Sequence, residues 1–363
     1  MNSKANNLLA IVEAAYRVEA TDVDWLEGIA STCCPVLDGG FGICAFEFYY
    51  RTGSRPRILQ SKTLRMPEAL EKIYPVVFEK MDPSIQVRPF EYGPCTTASQ
   101  MMGLAEDFKS NHLMQLYAQK FGIYDSMWIT AAEPGGWGCG LHAGRAQIGR
   151  ASRATIESWS RIAAHLSAAV RLRRRLARER DPDAPHLVAA EAVFSADGRL
   201  QHAEKPAQAP HAVDRLRQAV LDMEGARRRR QDDATNDGLK SWKGLVDARW
   251  SLLEQFESDG KRYIVATENA PSPPGPAALT LRERQVVGYA ALGHDNKVIA
   301  YELGIAHSTV RVLMARGASK LGVRSRTELV SAYRRSCSEA PPAEPESPNV
   351  DGTRIQPPGT SLG

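Results

Sequence analysis

The chain lacks several features that would place it in a membrane, outside the cell or in a metal-binding class. Its six cysteines are scattered over 363 residues without a C-x-x-C pair, and no apolar run approaches the roughly 20 residues that span a bilayer. The N-terminal residues contain no apolar core or cleavage site of a secretory signal. We therefore expect a cytoplasmic protein with reduced thiols, no metal site, no cofactor and no membrane contact.

Catalytic machinery is equally sparse. Cys139 and His142 are near neighbours in the sequence GCGLH, and a cysteine nucleophile needs a histidine base within hydrogen-bond distance. Positions three apart on a strand face opposite sides of a sheet, so this pair is predicted not to meet. We therefore expect no catalytic residue and no enzyme. A small-molecule enzyme in the N-terminal part stays open as an alternative.

Positive charge is distributed unevenly. The whole chain has a formal net charge of only +4. Residues 279–335 contain ten Arg or Lys and four Asp or Glu, an excess of six positive charges. This concentration is expected of a module that binds the phosphates of a DNA duplex.

The same segment has the signals of four short helices. Thr280 with Glu283, and Ser325 with Glu328, have the spacing of a capping box, which predicts the start of a helix. Asp295 is suited to cap another helix. The predicted helices run from 280 to a stop at Gly293, from 296 to 303 with Gly304 after it, from about Ser308 to Leu321 with Gly322 after it, and from 325 to 333.

Two of these helices, joined by a turn with a glycine, describe a helix-turn-helix. Over about 55 residues the segment resembles the LuxR-type DNA-binding domain. The matching positions are Leu279-Thr280, Arg282-Glu283-Arg284, Gly293, Asn296-Lys297, Ile299-Ala300, Leu303, Thr309-Val310-Arg311, Lys320-Leu321-Gly322-Val323, Ser325-Arg326 and Glu328-Leu329.

Seven residues of this segment are predicted to contact DNA. The helix from Ser308 is expected to enter the major groove, where Arg311 would read a guanine and contribute about 1–3 kcal/mol of discrimination. Thr309 and Val312 are expected to contact thymine methyl groups. Phosphate contacts, which orient the protein without reading sequence, are expected from Lys297, Arg316 and Lys320.

The resemblance also implies core positions and partners. The implied core residues are Val286, Ile299, Leu303, Val310 and Leu321. It implies a homodimer on a two-fold-related site of double-stranded DNA, with the final helix helping the dimer to form. RNA polymerase and an unidentified small-molecule ligand are further candidate partners.

Three positions depart from the family pattern. Ala306 stands where Ser or Thr usually caps the recognition helix, a loss of about 0.5–2 kcal/mol unless Ser308 takes over the role. Leu313 replaces a histidine. Gly317 replaces a larger apolar residue, which is expected to cost roughly 1 kcal/mol and to leave a gap in the packing. We therefore expect a reader that is less rigid than usual.

Residues 6–180 have the pattern of an α/β sensor domain, similar in arrangement to GAF-type domains. Aromatic residues here either line a ligand pocket or fill the core. The stretch 83–105, with three prolines and two glycines, is predicted to be a long loop. The predicted elements are helices near 8–16 and 24–30, strands 41–50 and 56–61, helices 67–81 and 111–121, strands 124–132 and 138–146, and a helix 151–180. The aromatic candidates are Phe46, Phe48, Tyr124, Trp128 and Trp137.

Two other sensor classes are disfavoured. Tyr74, Asp82 and Pro83 are loosely similar to the pocket motif of acyl-homoserine-lactone-binding domains, but the tryptophan expected after Asp-Pro is absent. A phosphorylated receiver domain is not expected either, because no acidic pair follows a first strand.

The helix over 151–180 has two interpretations. Six residues recur at steps of three and four, which is the spacing of a short coiled-coil seam. They are Trp159, Ile162, Leu166, Ala169, Arg173 and Leu176. The helix either pairs two protomers or packs on its own domain, and the sequence leaves both open.

Residues 186–269 resemble a small PAS-like domain. Asp197-Gly198 and Asp259-Gly260 are turn signals of two β-hairpins, and a helix over 213–230 lies between them. That helix ends in four arginines at 227–230, which we interpret as a solvated helix end rather than a DNA contact. A proline-rich linker is expected at 270–278 and a disordered tail at 336–363.

Together these features predict an α+β multidomain protein with a GAF/PAS-like α/β sensor region and an all-α, four-helix LuxR-type domain. The expected function is transcription regulation, with the sensor region controlling DNA binding. A sigma-like promoter-recognition factor is an alternative, because Leu279-Thr280 and Arg282-Glu283-Arg284 are also similar to such factors. Nothing upstream resembles the other regions that such a factor needs.

Overall fold

The computed structural model describes residues 3–51, 54–102, 112–179, 190–232, 239, 241–256, 262–269 and 275–338. Two antiparallel sheets with their helices are followed by four C-terminal helices. This architecture confirms the predicted α+β class with an all-α C-terminal part.

Helices cover both faces of the first sheet. Its five strands lie in the order β2-β1-β5-β4-β3, all antiparallel. The elements are α1 (Ser3–Ala15), α2 (Asp22–Leu37), β1 (Ile43–Tyr49), β2 (Arg57–Leu64), α3 (Glu68–Lys80), α4 (Pro83–Gln86), α5 (Arg88–Glu91), β3 (Cys95–Thr97), α6 (Ala98–Met101), α7 (His112–Phe121), β4 (Asp125–Ala132), β5 (Trp137–Arg145) and α8 (Arg153–Glu179).

Alternation along the strands explains why both faces are apolar. Successive side chains of a strand point to opposite faces, and the two faces of β1 belong to different hydrophobic clusters. Ile43 and Ala45 pack with α1, α2 and α8, whereas Phe46 and Phe48 pack with Phe90 and the short helices. A strand buried on both faces has no polar alternation, as the run FGICAFEFYY shows.

The prediction of a long loop over 83–105 is wrong. This stretch contains α4, α5, β3 and α6. Asp82 caps α4 by accepting a hydrogen bond from Ser84 N, and Thr97 caps α6 by accepting one from Gln100 N. Proline breaks a helix in its interior, but it is well suited to the first turn of a helix, where no N–H partner is lost.

Helix α8 packs on its own domain, which decides between its two interpretations. Trp159, Ile162, Leu166 and Ala169 are all buried in the cluster between α8, α1 and the first sheet. The predicted seam is therefore covered within the chain and is not available to a second protomer.

The second sheet has four strands in the order β7-β6-β9-β8. Its elements are β6 (Ala192–Ser195), β7 (Leu200–Ala203), α9 (Pro210–Asp232), β8 (Trp250–Phe256) and β9 (Arg262–Glu268). Both predicted hairpins are confirmed by antiparallel pairing of β6 with β7 and of β8 with β9. Phe194 and Trp250 belong to the same hydrophobic cluster as the core around α8. The two sheet regions thus share one apolar core, although the predicted boundary at 181–185 lies outside the described residues.

Arg227, the first residue of the arginine run at the end of α9, is engaged within the chain. Its guanidinium lies 3.4 Å from Glu224 Oε1 and 5.1 Å from the centre of the Trp242 ring. Arg227 therefore contacts residues of its own region, in line with our interpretation of the arginine run as a helix end rather than a DNA contact.

The C-terminal helices have their own core. They are α10 (Leu281–Ala291), α11 (Asn296–Glu302), α12 (His307–Lys320) and α13 (Arg326–Ser338). The buried residues include four of the five implied core positions, Val286, Ile299, Leu303 and Val310, and the fifth, Leu321, is half-buried against them.

The last helix is longer than predicted and corrects our interpretation of the tail. It ends at Ser338, and Cys337 is 9% exposed and packs into the C-terminal core. Cys337 is therefore part of the folded domain. The remainder of the predicted tail, 339–363, and residues 270–274 of the predicted linker lie outside the described residues.

Among the described helices, none is by itself long and apolar enough to span a membrane. The pair α11 and α12 meets that requirement only when both helices are counted together across a bend of 109°.

Candidate nucleic-acid interface

Local hydrogen bonds fix the start of the first two C-terminal helices. Thr280 and Glu283 form the predicted capping box: the Thr280 hydroxyl accepts from Glu283 N, and the Glu283 carboxylate accepts from Thr280 N. The Asp295 carboxylate accepts from Lys297 N and Val298 N, both at 2.8 Å. These contacts satisfy backbone donors that a helix leaves free at its N-terminus.

The second predicted capping pair, Ser325 and Glu328, is also in contact. Glu328 N donates to Ser325 Oγ at 3.2 Å, and the Glu328 carboxylate accepts from Arg324 N at 2.9 Å. Backbone N–H groups of Arg324 and Ser325 lower the pKa of Glu328, and α13 begins at Arg326.

Helices α11 and α12 form the predicted helix-turn-helix, with an angle of 109° between them. Gly304 ends α11 in the left-handed region at φ +62°, which an L side chain rarely adopts. Ala306 occupies the N-cap of α12, and no side chain caps this helix, so Ser308 does not replace the missing cap. Helix α12 therefore depends on packing for its position.

Packing holds α12 through one buried stripe. Val310, Met314 and Gly317 face the C-terminal core, and Leu313 is half-buried beside it. The expected gap at Gly317 is not present: a Cβ there would lie 3.3 Å from Val287 Cγ2 and 3.7 Å from Leu279 Cδ2. Glycine here permits close approach of α10 and α12.

The opposite face of α12 is exposed and carries five of the predicted DNA-binding residues. Arg311 and Arg316 form no ion pair among the residues that the structure describes, and Val312 is 49% exposed. Ser308 and Thr309 lie in the exposed first turn. The face thus presents two cations and an apolar side chain together.

The two predicted phosphate-binding lysines are engaged in ion pairs. Lys320 Nζ lies 2.7 Å from Glu283 Oε2 within the same domain, and this hydrogen bond helps to lower the pKa of Glu283 although burial opposes it. Lys297 Nζ lies 3.1 Å from Glu157 Oε1 on α8, and its hydrogen bond lowers the pKa of that carboxyl. An acidic residue of the N-terminal region therefore stands where the sequence predicts a DNA phosphate.

Tyr301 connects the helix-turn-helix with the rest of the chain. Its hydroxyl lies 2.6 Å from the carbonyl oxygens of Leu239 and Trp242 and 2.8 Å from His165 Nε2. Burial lowers the pKa of His165 to about 3. The Nδ1 atom of the neutral imidazole accepts a hydrogen bond from Tyr16 Oη at 3.2 Å, and Nε2 donates one to Tyr301 Oη, whose own proton goes to a backbone carbonyl.

Further contacts hold the helix-turn-helix against the N-terminal region, an arrangement that we call the docked position. Arg334 Nη1 lies 3.0 Å from Glu91 Oε2, which joins α13 to the first sheet region. Ala248 N donates to Leu303 O at 2.7 Å, and a Cβ on Gly304 would lie 1.9 Å from Leu245 O. The backbone of the turn thus lies directly on the segment that precedes β8.

Glu157, His165 and Tyr301 are functional candidates that the sequence motifs do not predict. Glu157, Arg161 and His165 recur at steps of four on α8, so they lie on one face of the helix. A polar stripe of this kind, on a helix whose other side is buried, is the sequence signal that could have indicated Glu157 and His165. It indicates a second packing partner, here α11.

A cavity of about 70 Å³ lies between the first sheet and helices α3 to α7. Met81, Met101 and Met102 form much of its wall, with Trp128 from the sheet and Arg88 as a lining cation. An adjoining cavity of about 30 Å³ is lined by Tyr117, Ser126 and His142, which also line the larger one. Burial lowers the pKa of His142 to about 3, so its imidazole is neutral.

Most of the aromatic candidates do not line this cavity. Phe46 and Phe48 are in the hydrophobic core, and Tyr124 is 49% exposed. Trp137 lies under the Arg174 guanidinium, 3.1 Å from its ring centre. Trp128 is the candidate that reaches the cavity.

Cys139 and His142 face opposite sides of the sheet, as predicted. Cys139 is buried in the cluster with α2 and α8, whereas the His142 ring packs on Trp128 at 4.5 Å between centres. Burial also raises the pKa of the Cys139 thiol well above its usual range. This pair is not arranged as a nucleophile and its base.

Comparison with known proteins identifies the C-terminal domain. The family model of bacterial regulatory proteins of the luxR family matches residues 277–333. The monoamine regulon transcriptional regulator of Klebsiella aerogenes is 46% identical over 56 residues, which are 15% of this chain and 25% of that protein. The match thus spans about a quarter of that relative's length. SdiA in complex with octanoyl-rac-glycerol aligns with a TM-score of 0.26 and 12% identity over 92% of this chain and 88% of that chain, a superposition too poor to carry an argument.

Proposed function

We propose that this chain, whose C-terminal segment is a domain of the luxR family of bacterial regulatory proteins, is a DNA-binding transcriptional regulator. The observation that carries the proposal is the exposed face of α12, where Arg311 and Arg316 stand without ion pairs among the described residues. A helix of this kind fits the major groove of DNA. The two exposed arginines of this helix are suited to contact base edges and phosphates.

In this proposal Arg311 reads a base, Thr309 and Val312 contact thymine methyl groups, and Ser308 lies at the start of the reading helix. Lys297, Arg316 and Lys320 hold phosphates. The ion pairs of the two lysines are compatible with these roles. The Lys297–Glu157 pair is solvent-accessible and therefore weak. Lys320 is 38% exposed, and its ammonium group has further N–H donors beyond the one that contacts the buried Glu283. We propose that a homodimer binds a two-fold-related site and contacts RNA polymerase there. Half-site spacing in selected genomic fragments tests the two-fold arrangement.

Arg311→Ala is expected to weaken binding to a selected genomic fragment by about 1–3 kcal/mol, roughly 5- to 150-fold, because a bidentate contact to guanine is lost. Fluorescence anisotropy with the full chain measures the change. Arg199→Ala is the matched control: it removes the same charge from an exposed position next to β7. An Arg311→Ala protein that binds the selected fragment as tightly as the unchanged chain would refute the recognition-helix assignment.

We further propose that the N-terminal region controls the reader. The docked position of the helix-turn-helix supports this, since Glu157 pairs with the predicted phosphate ligand Lys297. A phosphate at Lys297 would meet the like charge of Glu157. Binding of DNA is therefore expected to require a shift of the helix-turn-helix away from α8.

The cavity behind the first sheet is the proposed ligand site of the sensor region. Its methionine walls adapt to ligand shape, and Arg88 is the lining residue that would recognise an acidic group. A small apolar compound that binds the folded chain is expected to raise its Tm with concentration. A thermal-shift series of matched short-chain carboxylic acids and alcohols tests this; no shift with any member at millimolar concentrations would contradict the proposal.

A further inference from the structure

The contact between the helix-turn-helix and the N-terminal region contains a buried carboxyl group. Glu302, the last residue of α11, is 3% exposed. Neither of its carboxyl oxygens forms a well-oriented hydrogen bond among the described residues, although the Ser167 and Tyr289 hydroxyls lie beside it. An ionised carboxylate is strongly disfavoured in such a position.

The nearby cation is already engaged. Arg171 of α8 forms an ion pair with Glu133, which lies in the turn between β4 and β5. The same guanidinium donates to Asn269 Oδ1 at 3.1 Å and to Tyr289 Oη at 3.4 Å. One arginine thus stands between two carboxyl groups, and Glu133 has the direct contact.

The other titratable groups around Glu302 do not supply a second positive charge. They are Tyr16 directly after α1, Tyr289 of α10 and Tyr301 of α11 itself, and burial raises the pKa of all three phenols. His294, which packs on Tyr289, is neutral because burial lowers its pKa to about 4. Burial accordingly raises the pKa of Glu302 to about 8, against the attraction of Arg171.

We propose that docking of the helix-turn-helix takes up one proton at Glu302, so that the reader is held against the N-terminal region at lower pH and released as pH rises. This inference rests on the proposed function for its biological meaning, but the docking itself can be measured without DNA. It identifies the contact as a proton-linked switch.

The sign follows from the two states of Glu302. When docked, its pKa is about 8; when exposed, it returns towards the ordinary 4.5. Between these values the docked state holds one proton more, so the docking constant falls about tenfold per pH unit. Below this window both states are protonated, and above it both are ionised, so the constant no longer changes.

Hydrogen–deuterium exchange of the full chain tests the proposal in the absence of DNA. Protection of the α11 amides, corrected for the intrinsic pH dependence of exchange, is expected to fall between about pH 6 and about pH 8. Glu302→Gln mimics the protonated carboxyl at every pH, so its α11 protection is expected to stay constant. Glu328→Gln, at an exposed carboxyl of α13, is the matched control and should keep the pH dependence of the unchanged chain.

DNA affinity provides the second measurement. It is expected to rise with pH over the same range in the unchanged chain, and that rise is expected to be absent from Glu302→Gln. Apart from residue 302 the two proteins are identical, so the difference between their DNA affinities isolates Glu302. Glu133→Gln provides a further test if Glu302→Gln does not fold, because Arg171 is then free for Glu302 and protection should also become constant.

Protection of α11 that does not change with pH would overturn the proposal, as would the same pH dependence in Glu302→Gln. A chain with pH-dependent protection that binds no DNA at any pH would instead refute the proposed function and leave the proton-linked docking intact.

Discussion

At the scale of single residues, Gly317 sets how closely two helices of the reader approach. The Val287 and Leu279 side chains stand where a larger side chain would go. We expect Gly317→Leu to lower the free energy of unfolding by about 1–3 kcal/mol, because overpacking exceeds the gain of roughly 1 kcal/mol in helix propensity. Urea denaturation measures this change.

Gly28 of α2 offers the matched control for that substitution. A Cβ at Gly28 would meet no atom within 4 Å, so Gly28→Leu is expected to leave stability unchanged or to raise it by up to about 1 kcal/mol. Equal effects of the two substitutions would show that close packing at Gly317 does not matter.

Residue identities alone were misleading at Gly317 and at Cys337. Glycine in a helix suggests a weak point because of its conformational entropy, but the neighbouring helix determines whether the missing side chain leaves space. Likewise, Cys337 precedes a run of tail-like composition, and its burial depends on α13 continuing to Ser338. Both outcomes are decided by residues far away in the sequence.

At the scale of elements, helix starts were the most predictable features. Caps such as Thr280 and Asp295 act within three residues of their own position, so the sequence contains the whole interaction. The short elements between 83 and 101 were not predictable in the same way. Helices of four residues are stabilised mainly by the core around Phe90 and Met101 rather than by their own sequence.

The features of the candidate site likewise divide into those that the local sequence predicts and those that depend on packing. Helix α12 and its buried Val310 follow from periodicity and family resemblance, and Arg311 and Arg316 of the same helix are exposed. The partner of a helix face does not follow from periodicity. The stripe on α8 was equally compatible with a second protomer and with its own sheet, and only the fold decided between them.

At the scale of the whole molecule, the docked arrangement of the reader depends on a few buried polar contacts. Tyr301→Phe removes the hydroxyl shared by His165, Leu239 O and Trp242 O. Leaving such buried groups without a partner costs about 1–3 kcal/mol. If the undocked helix-turn-helix is the DNA-binding state, the affinity of the chain for a selected DNA fragment is expected to rise roughly 5- to 150-fold. Fluorescence anisotropy measures this change.

Tyr124→Phe is the control for Tyr301→Phe, because it removes a phenol hydroxyl from a side chain of the first sheet region that is 49% exposed. It is expected to change affinity much less. Weaker DNA binding in Tyr301→Phe, with the fold intact by circular dichroism, would mean that the docked arrangement favours the DNA complex rather than opposing it.

Helix α8 carries Glu157, His165 and Arg171 towards the reader, while Trp159 and Ile162 face the core. With 27 residues it is about 40 Å long. Each residue turns an α-helix by about 100°, so the helix fixes angular phase as well as distance. Inserting or deleting one residue between Trp159 and Arg171 would turn every later contact towards the wrong neighbour, whereas a change of about one full turn would nearly preserve the phase. Exchange of the N-terminal region ahead of the helix-turn-helix is therefore constrained to whole helical turns.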